Sequence, residues 1–462
     1  MQRFIPVSEN QKKLRSNSNN LQPPTPSPQL PQSGHVRILD WKKTPQKLKE
    51  KILKRAEFDV EKIRPIAREW IEKIKKEGDK AIISYTRQFD DSKFDLKNLR
   101  VKEKEFEEAF KKIDKKLLKA IEKQISISKS FHEKQIEKDF VLHESVQGVI
   151  TGKKITPIDS VGLYVPAGLA PLPTVMQILG VAAKTAGVPR VIACFPPRFN
   201  AEAMLVAAKL AGVDEVYRVG GIAGIAAMAY GTKSIKPVLK IAGPGSPYVQ
   251  AAKLEVFGKV SIDMLAGPSE AVILADESAN PEFVAADILA RCEHSPDASA
   301  VLITHDKALC EKVNLEIKKQ LKKLDRKEIT EKSLNNYTAL ILVKDLTEAI
   351  KLTNEYSPEH LEIQTKEPWE ILSQIRNAGS IFLGDNAPVA IGDYASGTNH
   401  VLPTGNFPKM FSPVSVRTFQ KESEVQYLTK NGLKNLWDIV DQVTRVEGLD
   451  GHRKSVKKRL ER

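Results

Sequence analysis

A chain of 462 residues is too long for one ordinary hydrophobic core, so two or more domains are expected. Hydrophobic residues make up 41% of the chain and charged residues 28%, a balance typical of soluble globular proteins, and no run of about 18 apolar residues predicts a membrane span. The three cysteines, Cys194, Cys292 and Cys310, form no CxxC pair and no disulfide framework, so we expect a reducing, cytoplasmic location.

The net charge of +14 raises the question of a nucleic-acid partner. Much of the lysine lies in two helical stretches, 42–76 and 102–138, where it is interleaved with glutamate, as in KEKEFEEAFKKIDKKLLKAIEKQ. Glutamate and lysine four residues apart on exposed helix faces explain this charge without a ligand. Aromatic residues do not alternate with the basic ones, as a platform for stacking bases requires. We therefore expect no nucleic-acid partner and no membrane partner.

In chain order, residues 1–36 are rich in Asn, Gln, Ser and Pro and are predicted to be a disordered extension. Residues 37–138 are helical and charged, and 139–158 alternate like short strands. Beyond 158, apolar runs such as RVIACFPP and SEAVILAD alternate with amphipathic helices. This pattern predicts an α/β fold with parallel sheets covered on both faces, in two successive domains. The C-terminal segment returns to helix.

The usual sequence signal of a nicotinamide cofactor, GxGxxG after a strand, is incomplete. The stretch RVGGIAGI supplies Gly220, Gly221 and Gly224, but Val219 stands at the first glycine position. The stretch AGPGSP offers a tight turn after a strand, near where a phosphate could bind. Each of these stretches is more often a packing turn, so neither is specific.

Histidines in the C-terminal half lie beside acids or in loops with the composition of a binding site. They are His294 in CEHSPD, His360 in SPEHLE, His400 in SGTNHVLP and His452 in LDGHRKS. Asp393 with His294 and His452 would form a mixed nitrogen and oxygen site suited to zinc. The pair Glu359–His360 is suited to general-base chemistry, since imidazole titrates near neutral pH. The sequence leaves open whether these segments converge.

These motifs resemble the histidinol dehydrogenase family, collinearly from about residue 37 to the C-terminus. The stretches that carry the resemblance are VGLYVPAGLAPLPTV, DMLAGPSE, EHSPDAS, SPEHLEIQT, GSIFLGD, GDYASGTNHVLPT and VEGLDGHRKSV. The resemblance implies an NAD- and zinc-dependent enzyme that oxidises L-histidinol through L-histidinal to L-histidine, the last step of histidine biosynthesis. It also implies a homodimer in which the C-terminal domain of each subunit reaches into the partner's site.

The resemblance further implies two incomplete Rossmann-like domains with parallel sheets and two small domains, the last of them helical. On this chain the expected bounds are 37–58 with 162–268 for the first Rossmann-like domain, 59–143 with 269–406 for the second, 144–161 for a small linker domain, and 407–462 for a helical dimerisation domain.

By motif position, His294, Asp393 and His452 match the family's zinc ligands. Glu359 and His360 match its acid–base pair: His360 would take the alcohol proton as hydride leaves, and Glu359 would activate the water that attacks the aldehyde. The positions that match substrate-binding residues are Ser269, His294, His360, Asp393, His400, Glu447 and His452. Those that match the cofactor site are Tyr164, Ala223 and Ser246.

This chain departs from the family at Arg291, which stands where a glutamine usually completes the zinc site. A guanidinium has no lone pair for a metal. At about 4 Å and an effective dielectric constant near 20, it would repel Zn²⁺ by roughly 8 kcal/mol. Asp287, one helical turn earlier, or Glu293 would be able to pair with Arg291 and turn it aside; alternatively, Arg291 holds an anionic group of a different substrate.

Two further departures concern the cofactor, because Ala223 and Ser246 replace amide side chains at a cost of about 0.5–1.5 kcal/mol of binding each. Cys292 points to a different helix face from His294 and is predicted to be structural.

These departures leave three candidate functions open: the family's own reaction, oxidation of another small polar or anionic alcohol by a paralogue, and a non-catalytic binding protein on the same fold. Glu447 favours the first, since it matches the residue that contacts the imidazole of histidinol.

Overall fold

The computed structural model describes residues 36–55, 60–137, 139–167, 171–197 and 201–461. The strands in this part of the chain are β1 (Arg37–Asp40), β2 (Phe140–Val146), β3 (Val149–Pro157), β4 (Ser160–Tyr164), β5 (Arg190–Phe195), β6 (Glu215–Arg218), β7 (Lys240–Ala242), β8 (Ser261–Ile262), β9 (Glu270–Ala275), β10 (Ser299–Thr304), β11 (Ala339–Leu342), β12 (His360–Gln364), β13 (Ser380–Leu383) and β14 (Gln420–Leu428).

The α-helices in the same residues are α1 (Gln46–Lys54), α2 (Val60–Glu77), α3 (Asp79–Phe89), α4 (Glu103–Lys112), α5 (Lys115–Glu133), α6 (Pro173–Thr185), α7 (Glu202–Leu210), α8 (Gly221–Tyr230), α9 (Pro247–Val256), α10 (Pro281–Cys292), α11 (Lys307–Leu321), α12 (Lys327–Tyr337), α13 (Leu346–Tyr356), α14 (Pro368–Leu372), α15 (Val389–Tyr394), α16 (Lys430–Glu447) and α17 (Asp450–Leu460). Short 3₁₀ turns lie at Leu96–Asn98, Phe407–Lys409 and Val416–Phe419.

Two parallel sheets share one strand order. The first runs β6-β5-β4-β7-β8, and the second runs β11-β10-β9-β12-β13 with β1 added outside β11. In each sheet the first three strands in sequence lie side by side, β4 to β6 or β9 to β11. The next strand, β7 or β12, then pairs with the opposite edge of the first of them. This is the Rossmann order with its last strand missing. The predicted α/β class with two incomplete Rossmann-like domains is confirmed.

Each parallel sheet has a hydrophobic core on both faces because alternate residues of its strands point in opposite directions. In the second sheet, Ile273 and Leu302 pack against α10 and α11. Their neighbours Val272 and Val301 pack on the opposite face with Tyr356 of α13. Full burial of side chains of this size contributes roughly 1.5–3 kcal/mol each. This two-sided burial explains why the strands are apolar runs without alternation.

The N-terminal segments are exchanged relative to the expected domain bounds. Strand β1 pairs in parallel with β11, Arg37 lying opposite Ala339, so residues 37–55 belong to the second sheet. Helices α2 and α3 pack on α8 and α9 of the first domain, and α4 and α5 pack on α7 and α6. The predicted grouping of 37–58 with 162–268 and of 59–143 with 269–406 is therefore wrong.

The reason is where each segment buries its apolar face. Ile52 and Leu53 of α1 pack against the core of the second sheet. Helix α2 buries Ile63 and Trp70 in one cluster with Ile222 of α8. Both segments are amphipathic, and their sequence pattern shows that they cover a core without showing which core it is.

A third, antiparallel sheet joins the small linker segment to the C-terminal segment. Strands β2 and β3 form a hairpin, and β14 pairs along the whole of β3, with Gln420 opposite Pro157. The predicted linker 144–161 is therefore one part of a composite sheet, and the predicted helical domain 407–462 starts with a strand before α16 and α17. Of the predicted extension 1–36, the structure describes only Val36, which is buried.

The three cysteines are buried and form no disulfide. The Cys292 thiol lies 3.3 Å from the Thr338 hydroxyl in the core. Burial raises the pKa of this thiol, so Cys292 is structural, as predicted. Among the helices of the described residues, none combines the length and the apolar composition needed to cross a bilayer.

A carboxyl pair, Asp287 on α10 and Glu362 on β12, links two helices to the second sheet. Gln364 donates from Nε2 to Asp287 Oδ2 at 3.1 Å and to Glu362 Oε2 at 2.8 Å. The N–H of Val389, the first residue of α15, donates to Glu362 Oε1 at 2.9 Å. Burial raises the pKa of Asp287, and burial followed by the charge of Asp287 raises the pKa of Glu362 to about 8. The pair therefore shares a proton near neutral pH.

This pair predicts a pH-dependent stability. A carboxyl whose pKa rises on folding stabilises the folded state fully below its unfolded value near 4.5, and that contribution is lost as the pH rises through about 8. In Asp287→Asn, the amide would donate permanently to Glu362 and still accept from Gln364. We expect the fall in unfolding free energy between pH 5 and 8 to shrink by at least about 1.4 kcal/mol, the equivalent of one pKa unit.

Urea unfolding of wild-type protein and Asp287→Asn at several pH values would test this. Glu282→Gln, which changes an exposed carboxyl of the same helix, is the matched control and should follow the wild type. Identical pH slopes for Asp287→Asn and the wild type would contradict the shared proton.

Candidate active site

The predicted acid–base residues lie where β9 and β12 begin. These strands are parallel neighbours, with His360 opposite Ala271, so their amino ends meet. Helix α10 runs from the carboxyl end of β9 back to this amino edge and brings Arg291 with it. Helix α15 brings Asp393 to the same place. The structure thus joins residues that are more than one hundred positions apart in the sequence.

His360 is buried and held from both sides of its ring. Its Nδ1 lies 3.0 Å from the Glu270 carbonyl oxygen and 3.3 Å from Glu359 Oε2. Its Nε2 lies 3.5 Å from Asp393 Oδ1. The carbonyl contact assigns a proton to Nδ1 and, in the neutral ring, the lone pair to Nε2. Burial and the charge of Arg291 lower the pKa of His360, but the carboxylates of Glu359 and Asp393 outweigh them and raise it to about 9.

Glu359 is also buried, and the Oε2 oxygen of its carboxylate makes the contacts with its neighbours. Oε2 accepts from the Ser269 hydroxyl at 3.0 Å and from the Glu270 N–H at 2.8 Å. Burial would raise the pKa of Glu359, but the positive charges of His360 and Arg291 lower it overall. The pair is therefore an ionised carboxylate beside an imidazole, which is an arrangement suited to moving protons.

Glu270 supports this pair, and the sequence analysis missed it. Its Oε1 accepts from the N–H groups of Glu359 at 3.1 Å and Gly405 at 3.2 Å. Its Oε2 lies 2.7 Å from Nε of Arg55, which is equally buried. The available signal was a glutamate opening the apolar run EAVILA, since a charge at the start of a buried strand needs partners.

Arg291 is 3% exposed and points into the cluster. Its Nη1 donates to the Ser269 hydroxyl at 2.7 Å, and its Nη2 lies 3.6 Å from Asp393 Oδ2. The expected partner Asp287 instead pairs with Glu362, and no ion pair joins Arg291 to Glu293 in the described chain. The expectation that a neighbouring acid turns Arg291 aside is therefore wrong, because a more distant carboxylate holds it in the site.

Asp393 lies between the two cationic groups. Although burial opposes it, His360 and Arg291 hold the pKa of this carboxyl well below its usual range. His400 is close enough for Asp393, His360 and Glu359 to act on its charge, and burial lowers its pKa. His294, just beyond α10, is largely exposed, but the surrounding protein and Arg291 lower its pKa. Both histidines therefore lie near enough to the cluster for its charges to act on them.

The predicted zinc site is not assembled within one chain. Among the described residues, no three His, Cys, Asp or Glu side chains come together as a metal site. His452 is exposed on α17, which packs on α16, and Glu447 is exposed at the end of α16. The guanidinium of Arg291, a group that cannot donate a lone pair, already faces Asp393. The residues present do not fit a zinc ion.

The candidate cofactor edge belongs to the first sheet, at the carboxyl ends of β4 and β7. This is where the strand order reverses, the usual ligand position in such sheets. The Tyr164 hydroxyl accepts from the Gly221 N–H at 2.9 Å, at the start of α8. Gly243, after β7, has φ +128°, and a Cβ there would lie 2.1 Å from the Tyr164 carbonyl oxygen. Glycine is needed because the two backbones approach so closely.

The structure separates the remaining predicted cofactor residues. Ser246 is exposed at the start of α9, and no side chain caps that helix end. A free helix N-terminus at a switch point is suited to a phosphate, so these residues fit a dinucleotide. Ala223, by contrast, is fully buried in α8 and packs in the core. The assignment of Ala223 to the cofactor site, where it replaces an amide side chain, stays a prediction.

Known proteins match this chain over nearly all of its described length. A model of the histidinol dehydrogenase family matches residues 53–460. A histidinol dehydrogenase of Methanocaldococcus jannaschii is 44% identical over 414 residues, covering 89% of this chain and 96% of the relative. One of Listeria monocytogenes is 46% identical over 393 residues, covering 85% and 91%.

A solved structure agrees with the sequence relatives. The crystal structure of histidinol dehydrogenase from Elizabethkingia anophelis matches with a TM-score of 0.88 at 35% identity, covering 92% of this chain and 98% of that one. Family model, relatives and solved structure all confirm the resemblance carried by the motifs. The chain belongs to the histidinol dehydrogenase family.

Proposed function

We propose that this protein oxidises L-histidinol through L-histidinal to L-histidine with NAD, the last step of histidine biosynthesis. The observation that carries the proposal is the buried pair Glu359–His360, with Nε2 of the imidazole directed at Asp393 and Nδ1 bound to a carbonyl. The relatives that share the family also carry the name of this activity.

In the first oxidation, Nε2 of His360 accepts the proton of the substrate hydroxyl while Nδ1 keeps its hydrogen bond to Glu270. The imidazole must first lose its Nε2 proton, because Glu359 and Asp393 raise its pKa. Asp393 Oδ1, 3.5 Å away, stays ionised and orients the ring. NAD, when bound at the carboxyl ends of β4 and β7, supplies the hydride acceptor.

In the second oxidation, water adds to the aldehyde carbon and gives its proton to Glu359, which is ionised and buried. The new carbon–oxygen bond forms as the carbonyl π bond breaks and leaves its electron pair on the aldehyde oxygen, which gives the hydrate anion. Its C–H bond then breaks with loss of a second hydride, and the carboxylic acid is left, so each histidinol reduces two NAD. Ser269 donates to Glu359 and accepts from Arg291. This hydroxyl therefore fixes the carboxylate that activates the water.

We also propose a homodimer in which α16 and α17 of one subunit complete the site of the other. Glu447 and His452 are exposed in their own chain. Beside them, Ile439, Val443 and Val446 form a stripe on α16, and Val446 is 90% exposed. An exposed apolar stripe of this kind marks a surface that another protein surface covers.

The buried cation of Arg291 favours a second candidate function for this site, which is oxidation of a small anionic alcohol.

Replacing His360 with asparagine tests the proton acceptor. We expect kcat for NADH formation from L-histidinol to fall by about 10²–10⁴-fold, the usual contribution of general acid–base catalysis, with a small change in KM. His305→Asn is a matched control, since His305 pairs with Glu277 outside the cluster. Glu359→Gln should slow turnover of L-histidinal most. A His360→Asn enzyme with wild-type kcat would overturn the assignment.

Mixing two inactive variants tests the shared site. His360→Asn and His452→Asn subunits, combined under conditions of exchange, form mixed dimers in which one of the two sites has both histidines intact. Random exchange should therefore restore about a quarter of wild-type activity. Native mass spectrometry would verify the exchange, and mixed dimers without any activity would exclude a site shared in this way.

A further inference from the structure

The cluster holds a fixed positive charge where the family resemblance implies a metal. Arg291 is 3% exposed, between Ser269 and Asp393. We infer that its guanidinium replaces the metal ion in this protein, so that the site binds and orients its substrate without zinc. The inference concerns the site of the proposed function and rests on that function for the identity of the substrate.

The first step of the argument is the state of Asp393. Its Oδ2 lies 3.6 Å from Arg291 Nη2, and its Oδ1 lies 3.5 Å from His360 Nε2. A metal ligand must direct a lone pair at the ion. Here each oxygen of the carboxylate already faces a nitrogen donor, so Asp393 acts as a partner of protein groups.

The second step is that Arg291 is held in place. Its Nη1 donates to Ser269 Oγ at 2.7 Å, and the same hydroxyl donates to Glu359 Oε2 at 3.0 Å. Moving the side chain away would break this chain of hydrogen bonds and leave a buried cation without its carboxylate. Asp287, the carboxyl that would be able to draw it aside, is engaged with Glu362 and Gln364.

The third step is the donor set that would remain for a metal. His294 borders the cluster and is largely exposed, and a second copy would be able to bring its His452. Both are neutral donors, and neither removes the guanidinium charge. Within the described residues no three metal-ligating side chains converge. A divalent cation would therefore compete with a tethered cation for one carboxylate.

The substitution changes what the site recognises. A metal coordinates lone pairs at short range, whereas a guanidinium donates hydrogen bonds to them. The Arg291 guanidinium directs Nη1 at Ser269 and Nη2 at Asp393, and its Nε is buried with no hydrogen-bond acceptor among the described residues. The group it would bind is an acceptor, such as a neutral imidazole nitrogen or a hydroxyl oxygen.

Zinc binding to the full-length protein tests this without reference to turnover. Wild type, Arg291→Gln and the control Arg190→Gln, which alters an arginine paired with Glu215 in the first sheet, would be dialysed and analysed for zinc per chain. Their affinities would then be measured by competition with a chelator. We expect wild type and Arg190→Gln to retain little zinc, and Arg291→Gln to bind zinc at least about 100-fold more tightly.

One zinc per wild-type chain, with the same affinity in Arg291→Gln, would overturn the inference. If Arg291→Gln fails to fold, the zinc content of the wild type decides alone. Turnover of L-histidinol in the presence of the chelator separates the two proposals. Unchanged turnover supports both, a zinc-free and inactive wild type supports the inference but not the proposed function, and zinc-dependent turnover supports the function and overturns the inference.

Discussion

Every backbone and side-chain polar group of Glu270 is used to align the amino ends of β9 and β12. Its N–H donates to the Glu359 carboxylate, and its carbonyl accepts from the His360 ring. Its carboxylate accepts from the Glu359 N–H and pairs with Arg55. Burial raises the pKa of Glu270 to about 7, against the opposing charge of Arg55. Removing Arg55 would leave a buried charge unpaired, which typically costs 3–5 kcal/mol.

The pairing of Glu270 with Arg55 gives a role to the N-terminal segment that packs on the second sheet. Arg55 follows α1, and α1 follows β1, which pairs with β11. Arg55 also donates to the carbonyl of Ser357 at 3.2 Å and stacks on the Tyr356 ring, just before the acid–base pair. The edge strand therefore anchors the residue that neutralises Glu270.

The two parallel sheets have the same strand order, but their candidate sites lie at opposite ends of the strands. The first presents the carboxyl ends of its strands around Tyr164 and Gly243, and the second presents amino ends around Glu359 and His360. The connection between them is fixed at Ala266, whose N–H donates to Gln250 of α9 at 3.2 Å. A hydride acceptor on one edge and a proton acceptor on the other would serve one substrate lying between them, which is the division of labour that the proposed reaction needs.

Local sequence patterns predicted the features that depend on neighbouring residues, such as the strands and the motif around Glu359 and His360. Apolar runs such as EAVILA located the central strands, and the motif around Glu359 and His360 located the buried pair to which we assign proton transfer. Hydrophobic burial is not directional, so the apolar faces of α1 and α2 did not reveal which sheet each one covers. Helical spacing predicted Asp287 as a neighbour of Arg291, but Glu362, a buried partner from β12, determines where Asp287 points.

Arg291 shows how one residue can change the electrostatic basis of a site built on a common arrangement of strands. With a glutamine at this position, the Asp393 carboxylate would have no fixed cation on its Oδ2 side, and a metal would supply the charge. Arg291 supplies it through a covalent bond to the chain, at 3.6 Å from the same oxygen. Since Ser269 connects this guanidinium to Glu359, the cation also stabilises the carboxylate of the acid–base pair. If our inference holds, the guanidinium that organises the substrate also helps His360 to keep Glu359 ionised, and this charge is built into α10.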